Sequence, residues 1–308
     1  MPEFATDDDI RAEAFAHVRR LAANRGHLSS EDIKAGFQFR GQRVPLINPQ
    51  RGIFKPASMR YLLSIRTVFP KQGNRVWYDD QREVHRQLYD GDEFVEYAFM
   101  GTNPDAADNR WLREAYLNAV PIIYFLGIAP GRYQALLPVF VQDWDPKSLK
   151  ARVAFGVQES AIYQPPENGA ERRYALRTVK QRLHQASFRE AVLSAYGGRC
   201  AISNMPEEAL LDAAHIASDQ DEHLGQPVIC NGLALSKIHH AAFDAHLLGI
   251  DADRKIHVAE RLLAQHDGPV LESLKQLRGS KLREPRRPRD IPDRDRLAQR
   301  FDIFLSFN

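Results

Sequence analysis

Three short steps in the C-terminal half of the chain limit its fold most tightly. They are LLDAAHI ending on His215 and Ile216, Asn231-Gly232 followed by Leu233, Ala234 and Leu235, and HHAAFD, in which His240 and Asp244 stand four residues apart. The first reads as an apolar strand that presents His215 after two small residues, Ala213 and Ala214, so a bulky group can come close. An imidazole with its ordinary pKa of about 6.5 is suited to taking a proton near neutral pH. Asn231-Gly232 reads as a turn into a second apolar stretch, and Ser236 to Leu248 has helical character. On a helix His240 and Asp244 share one face and can hold one divalent ion between them. Strand, turn, strand and helix with this content predict a ββα unit around a metal.

The order of these parts resembles the HNH endonuclease family, whose ββα-metal fold cuts nucleic acid with a single divalent ion. Matched residue by residue, the resemblance implies that His215 is the general base, Asn231 the central Asn that ties the loop and orients the base, and His240 a metal ligand. Asp244 falls where many members place a second ligand. Many members carry Asp or His just before the base, and this chain has Ala214. Asp212, on the same strand parity, is the candidate to reach the ion instead. The implied cofactor is one divalent ion such as Mg or Mn.

His239 has two readings: a DNA contact at a phosphate, or the position where related sequences carry a zinc-binding Cys. Many HNH proteins bind a structural zinc through two CxxC pairs. Here the only cysteines are Cys200 and Cys230, with Ser203 where the first pair would close, so no structural zinc is expected. The two cysteines read as buried thiols. The lone residues His184, His223, His246 and His257 read as ordinary polar positions.

At 308 residues and 44% hydrophobic, the chain has room for two or three domains. The stretch IYQPPENGAERR, with Pro165, Pro166, Asn168 and Gly169, predicts a linker, and a second transition falls near Phe69 to Asn74. The expectation is an α+β protein in three parts: 1–70, 71–160 and 161–308. In the first, Ile10, Ala14, Val18 and Leu21 fall at helical spacing, Ser29 or Ser30 is placed to cap a second helix, and FQFRGQRVPLINPQRGIFKP reads as a hairpin. Helices followed by a hairpin resemble a winged-helix module.

The second part carries short β-type runs around Val76, Phe94 to Phe99, Ile122 to Leu126 and Pro138 to Val141, with a helix from Asp108 to Ala119 capped by Asp108. YAFMGTNPDAADNRWLREA followed by PIIYFLGIAPGRYQALLPVFV resembles the sensor halves of HNH restriction enzymes of the broad PUA-like class, which includes SRA and EVE domains. That resemblance implies recognition of a modified base, often cytosine, flipped out of double-stranded DNA into an aromatic pocket. Stacking is worth about 1–3 kcal/mol per base, enough to offset much of the unstacking cost. Trp77, Tyr78, Tyr97 and Trp111 are the candidate walls, with Asp108 and Asn109 as edge readers.

A net charge of +2 argues nothing by itself, but its distribution does. Between Arg172 and Arg189 lie Arg173, Arg177, Lys180 and Arg182, and from Arg172 to Arg182 no acid interrupts them. This basic helix is the candidate DNA contact, since phosphate neutralisation dominates nucleic-acid affinity. A second basic stretch follows Arg278, mixed with acids and prolines. The N-terminus is acidic and polar rather than a secretory signal, and VPIIYFLGIAP falls short of the roughly 20 residues a membrane helix needs. A soluble, cytoplasmic protein is therefore expected. One HNH unit nicks one strand, so cutting both requires a homodimer or two binding events. Two other functions are consistent with the sequence: a nuclease effector whose N-terminal half senses a nucleotide messenger or partner, and a DNA-binding protein with a decayed nuclease site.

Overall fold

The structure, a computed structural model, describes residues 6–68, 94–156, 164–166, 168–218, 221, 224–266 and 268–308. Trp77 and Tyr78 lie outside the described residues, as does the run around Val76. The chain divides into two compact units, Met1–Ala186 and Ser187–Asn308.

The first unit opens with α1 (Asp7–Arg25), started by a reciprocal cap between Thr6 and Asp9 and stopped at Gly26, whose φ of 74° suits a residue without a Cβ. After β1 (Leu28–Ser29) comes α2 (Ser30–Ala35), capped by Ser29, and then the hairpin β2 (Phe37–Phe39) and β3 (Gln42–Val44). The strands β4 (Ile53–Phe54), β5 (Ser64–Thr67) and β6 (Val95–Ala98) precede α3 (Ala107–Leu117), which is followed by β7 (Ile122–Ala129), β8 (Arg132–Asp145) and β9 (Lys150–Phe155). One sheet runs β4-β5-β7-β8-β9-β6, with β1 added along β8. The β5–β7 pair is parallel and the others antiparallel.

The unbroken apolar run of β7 follows from burial on both faces of this sheet. Ile122, Tyr124 and Leu126 enter a core with Leu112 of α3, whereas Ile123 and Phe125 enter another with Phe15, Val18, Ile33 and Phe37. The expected division at residue 70 is therefore corrected. Helix, helix and hairpin do occur in the winged-helix order, but their apolar side chains share a core with β7 and β8, and β5 lies between β4 and β7 in the sheet. The segment cannot bury its hydrophobic face without the strands that follow it.

The expected linker leads into α4 (Gly169–Ala195), a helix of 27 residues. Its Ala175, Leu176, Val179 and Leu183 complete the core of the first unit, which moves the boundary from 160 to 186. The second unit continues α4 and adds β10 (Leu211–His215), β11 (Gly232–Ser236), α5 (Lys237–Asp244), the pair β12 (Leu248–Ile250) and β13 (Ile256–Val258), then α6 (Glu260–Leu263), α7 (Pro269–Lys275) and α8 (Arg294–Ser306). Its own core includes Phe188, Val192, Leu211, Ala214, Leu233, Leu235, Phe243 and Leu297. Among the described residues no helix is long and apolar enough to cross a membrane.

Candidate active site

The two strands of the site pair antiparallel, with Asp212 opposite Leu235 and His215 opposite Gly232. Gly232 is not the turn residue the sequence suggested. Asn231 closes a 3-10 turn from Ile229, and Gly232 is extended, the first residue of β11. Glycine is required there for closeness rather than for φ: a Cβ would collide with Val192 Cγ2 and meet Phe188 Cζ at 2.9 Å. The Ser236 hydroxyl accepts from His239 N and so starts α5 directly after β11.

Asn231 is fully buried, and its amide is saturated. Its Oδ1 accepts from Ala217 N at 2.8 Å, and its Nδ2 donates to Ala217 O and Gln226 O at 3.2 and 3.1 Å. These bonds tie down the loop that leaves His215. The His215 ring itself stacks on Phe188, centroids 4.0 Å apart and planes 12° from parallel.

His240 stands between two carboxylates, its Nδ1 3.5 Å from Asp212 Oδ2 and its Nε2 3.2 Å from Asp244 Oδ2. Asp212 and Asp244 together hold the imidazole protonated, lifting its pKa to about 9 against some opposition from burial. Burial raises the Asp212 carboxyl, but the bond from His240 and the nearby Arg189 outweigh it and leave it below its ordinary value. The bond to His240 lowers Asp244 as well, with Arg300 adding to it. Arg189 Nε lies 3.6 Å from Asp212 Oδ1 and its Nη2 donates to Glu208 O and Leu211 O, while Arg300 Nη2 lies 3.6 Å from Asp244 Oδ1. Consecutive residues of α4, Phe188 and Arg189, thus touch His215 and Asp212.

Two carboxylates and an imidazole are a suitable donor set for a hard or borderline divalent ion. Among the described residues no group of three or more His, Cys, Asp and Glu is set for a metal as it stands. Each ring nitrogen of His240 faces a different carboxylate. The donors fit in kind, and His240 must give up its proton for them to act as ligands.

Several expected residues are placed elsewhere. His239 is buried, with Nδ1 2.9 Å from Ser236 Oγ and 3.4 Å from Cys200 Sγ, so it is not a DNA contact. Burial pushes the Cys200 thiol up, yet His239 and Ser203 overcome this and bring it to about 6. Cys230 has a different neighbour, Arg296 Nη1 at 3.6 Å. In the first unit Tyr97 is 7% exposed, packs edge-on against Tyr124, and donates from its hydroxyl to Arg66 O, so it is a core residue. Asn109 is wholly buried and spends its amide on Met100 N, Met100 O and Asn103 O, shaping the loop before α3. Asp108 is buried beside Arg51 at 3.2 Å and lies in the first turn of α3, whose cap is Ala106. Trp111 is half-buried, with Lys55 Nζ 5.6 Å from its ring. The Asn109 amide is thus committed to backbone, and the Asp108 carboxylate faces Arg51. On α4, Arg173 and Arg177 are exposed and Arg172, Lys180 and Arg182 half-exposed.

Sequence reasoning missed Phe188 and Arg300, and it grouped Arg189 with the phosphate-facing cations although the structure turns it inward. Phe188 shares a face with Val192, four residues on, which was the available signal.

Residues 200–251 match the family model described as HNH endonuclease. No curated protein matches the chain. Among solved structures, one described as "Modification dependent TagI restriction endonuclease" aligns over 82% of this chain and 85% of its own, at 15% identity and a TM-score of 0.31.

Proposed function

We propose that the HNH domain in residues 200–251 hydrolyses DNA phosphodiesters with one divalent ion held by His240, Asp244 and Asp212, and that the first unit directs it to DNA carrying a modified base, cytosine in the first instance. The observation that carries the nuclease reading is the chain Asp212–His240–Asp244 on the same ββα unit that presents His215. The ion, when bound, stabilises charge developing on the phosphate and on the leaving oxygen. His215 takes the proton of the attacking water, its ring plane held by Phe188. Asn231 fixes the loop behind the base. Arg189 and Arg300 keep the two carboxylates in place, as partners of ligands commonly do. Arg172, Arg173, Arg177, Lys180 and Arg182 of α4 meet phosphates. A second copy of the chain supplies the cut in the other strand.

Support for base sensing comes from the stretch between Tyr97 and Val141 that resembles PUA-like sensors. The test is digestion, with Mg or Mn, of matched duplexes bearing unmodified cytosine, methylcytosine, hydroxymethylcytosine or methyladenine. Faster cutting of a modified duplex is expected. Equal cutting of all four would remove the sensing role and leave the nuclease, whereas no cutting of any would remove the nuclease.

A further inference from the structure

The basic stretch after Arg278, which the sequence mixes with acids and prolines, is sorted by the fold into paired and unpaired charges. Toward its ends the arginines have carboxylates: Arg278 lies 3.0 Å from Glu260, Arg294 2.9 Å from Asp253 and Arg300 3.6 Å from Asp244. The acids inside the stretch are committed as well. Glu284 is taken by Arg254 at 2.7 Å, and the Asp293 carboxylate accepts from Arg296 N to start α8. Between them Arg283, Arg286 and Arg287 are exposed and have no ion-pair partner among the described residues. Arg289 is exposed too, its Nε 3.8 Å from the buried carboxylate of Asp290.

The run is held in one shape. Leu282, Pro285, Asp290 and Pro292 are buried, so inward side chains interleave with outward arginines. Its backbone is fastened at both ends: Leu282 N donates to Arg254 O and Arg283 N to Ala201 O, each at 2.9 Å, and Asp293 N donates to Cys230 O at 3.0 Å. Between those points Pro285 and Pro288 fix their own φ. Neighbouring guanidinium groups repel, and a chain free to relax would spread them. Here they stay together, so a ligand of opposite charge meets them without first ordering the chain.

The spacing describes that ligand. From Arg283 to Arg289 the chain reaches at most about 20 Å, and one strand of duplex DNA carries a phosphate about every 3.4 Å along the axis. The forked donors of arginine match phosphate oxygens two at a time. Pro285-Arg286-Arg287-Pro288 also has the spacing read by polyproline-binding grooves, yet Pro285 is buried and the charged heads are what the loop offers. The anchors tie the run to the candidate active site, since Ala201 N donates to Ala234 O of β11 and Cys230 directly precedes Asn231.

We propose that Arg283, Arg286, Arg287 and Arg289 are a phosphate grip of the nuclease unit, a contact to the backbone of duplex DNA in addition to that of α4. The proposal rests on the reading of the chain as a DNA-cutting enzyme.

The experiment titrates the full chain onto an unmodified duplex with a chelator present, so that binding is read whether or not the chain cuts, across salt from about 50 to 200 mM. Three forms are compared: the parent, Arg286→Gln with Arg287→Gln, and Arg278→Gln with Arg294→Gln. The last pair removes the same charge from arginines that already have carboxylates. Thermal midpoints confirm that each form is folded. The loop pair should weaken binding at least about tenfold at low salt and reduce the slope of log affinity against log salt by about 1.8, whereas the control pair should change that slope by less than about half a unit. Equal losses in the two pairs would reduce the effect to net charge and overturn the proposal, as would loop variants that bind like the parent or a parent that binds no duplex. Cleavage of the same duplex with Mg is measured separately. A chain that binds through the loop and cuts nothing keeps the grip and sinks the nuclease reading, and one that cuts while the loop variants bind normally does the reverse.

Discussion

Polar side chains are used in opposite ways in the two units. Around His240 they are partly exposed and joined side chain to side chain: two carboxylates on one imidazole, each carboxylate backed by an arginine. Before α3 in the first unit, Asn109 is sealed from water and bonded wholly to backbone. On the function proposed above, the first arrangement exchanges a proton for a metal ion. The second exists to hold a loop, and opening it would break the fold. Perturbed pKa values, rather than polarity alone, separate a working cluster from a structural one.

The sharpest way to break this comparison is His215→Ala. Single-turnover cleavage should fall by about 10²- to 10⁴-fold, the usual contribution of a general base, with DNA binding nearly unchanged. A variant that cuts at the parent rate removes His215 from the chemistry. The next largest effect is expected from Arg189→Met, which frees Asp212 from its arginine. Apparent metal affinity in cleavage should weaken about 10- to 100-fold, and normal metal dependence would make Arg189 merely structural.

In the first unit, Asn109→Ala should lower stability by about 1–3 kcal/mol in chemical denaturation, because Met100 N, Met100 O and Asn103 O lose their partner. Preference among modified duplexes should stay as in the parent, and a changed preference would return Asn109 to the base pocket. The smallest expected effect is one of pH. With a chelator present, the folded chain keeps its proton on His240 up to about pH 9, whereas the unfolded chain releases it near 6.5. The stabilisation is therefore complete below about 6.5 and fades as pH rises through about 9, with a slope of at most ~1.4 kcal/mol per pH unit. His240→Gln should flatten that slope, and an unchanged profile would mean that the two carboxylates do not hold the ring charged.

The grouping of Asp212, His240 and Asp244 was legible in the sequence because each part of it is local. Four residues of helix fix His240 against Asp244, and strand parity brings Asp212 within reach of the same ring. A cavity of the first unit lined by Arg11, Tyr61, Asn118 and Val120 was not legible, since those residues come from three separate places in the chain and only the packed fold assembles them. Tyr97 and Asn109 misled for a related reason. Aromatic and amide side chains serve cores and pockets equally well, and burial alone tells which. The boundary at 160 failed because Pro165 and Pro166 mark a break in regular structure, not the end of a core, which Ala175, Leu176, Val179 and Leu183 complete beyond them.

The passage of α4 from one unit into the next has a consequence for synthesis. A chain emerges from the ribosome N-terminus first, at about 5–20 residues per second. The sheet of the first unit is complete by Phe155, yet its core stays open until Leu183 has been made. Throughout that interval the nascent polypeptide carries an uncovered apolar face. The residues around His240, from Asp212 onward, follow Leu183 in the order of synthesis.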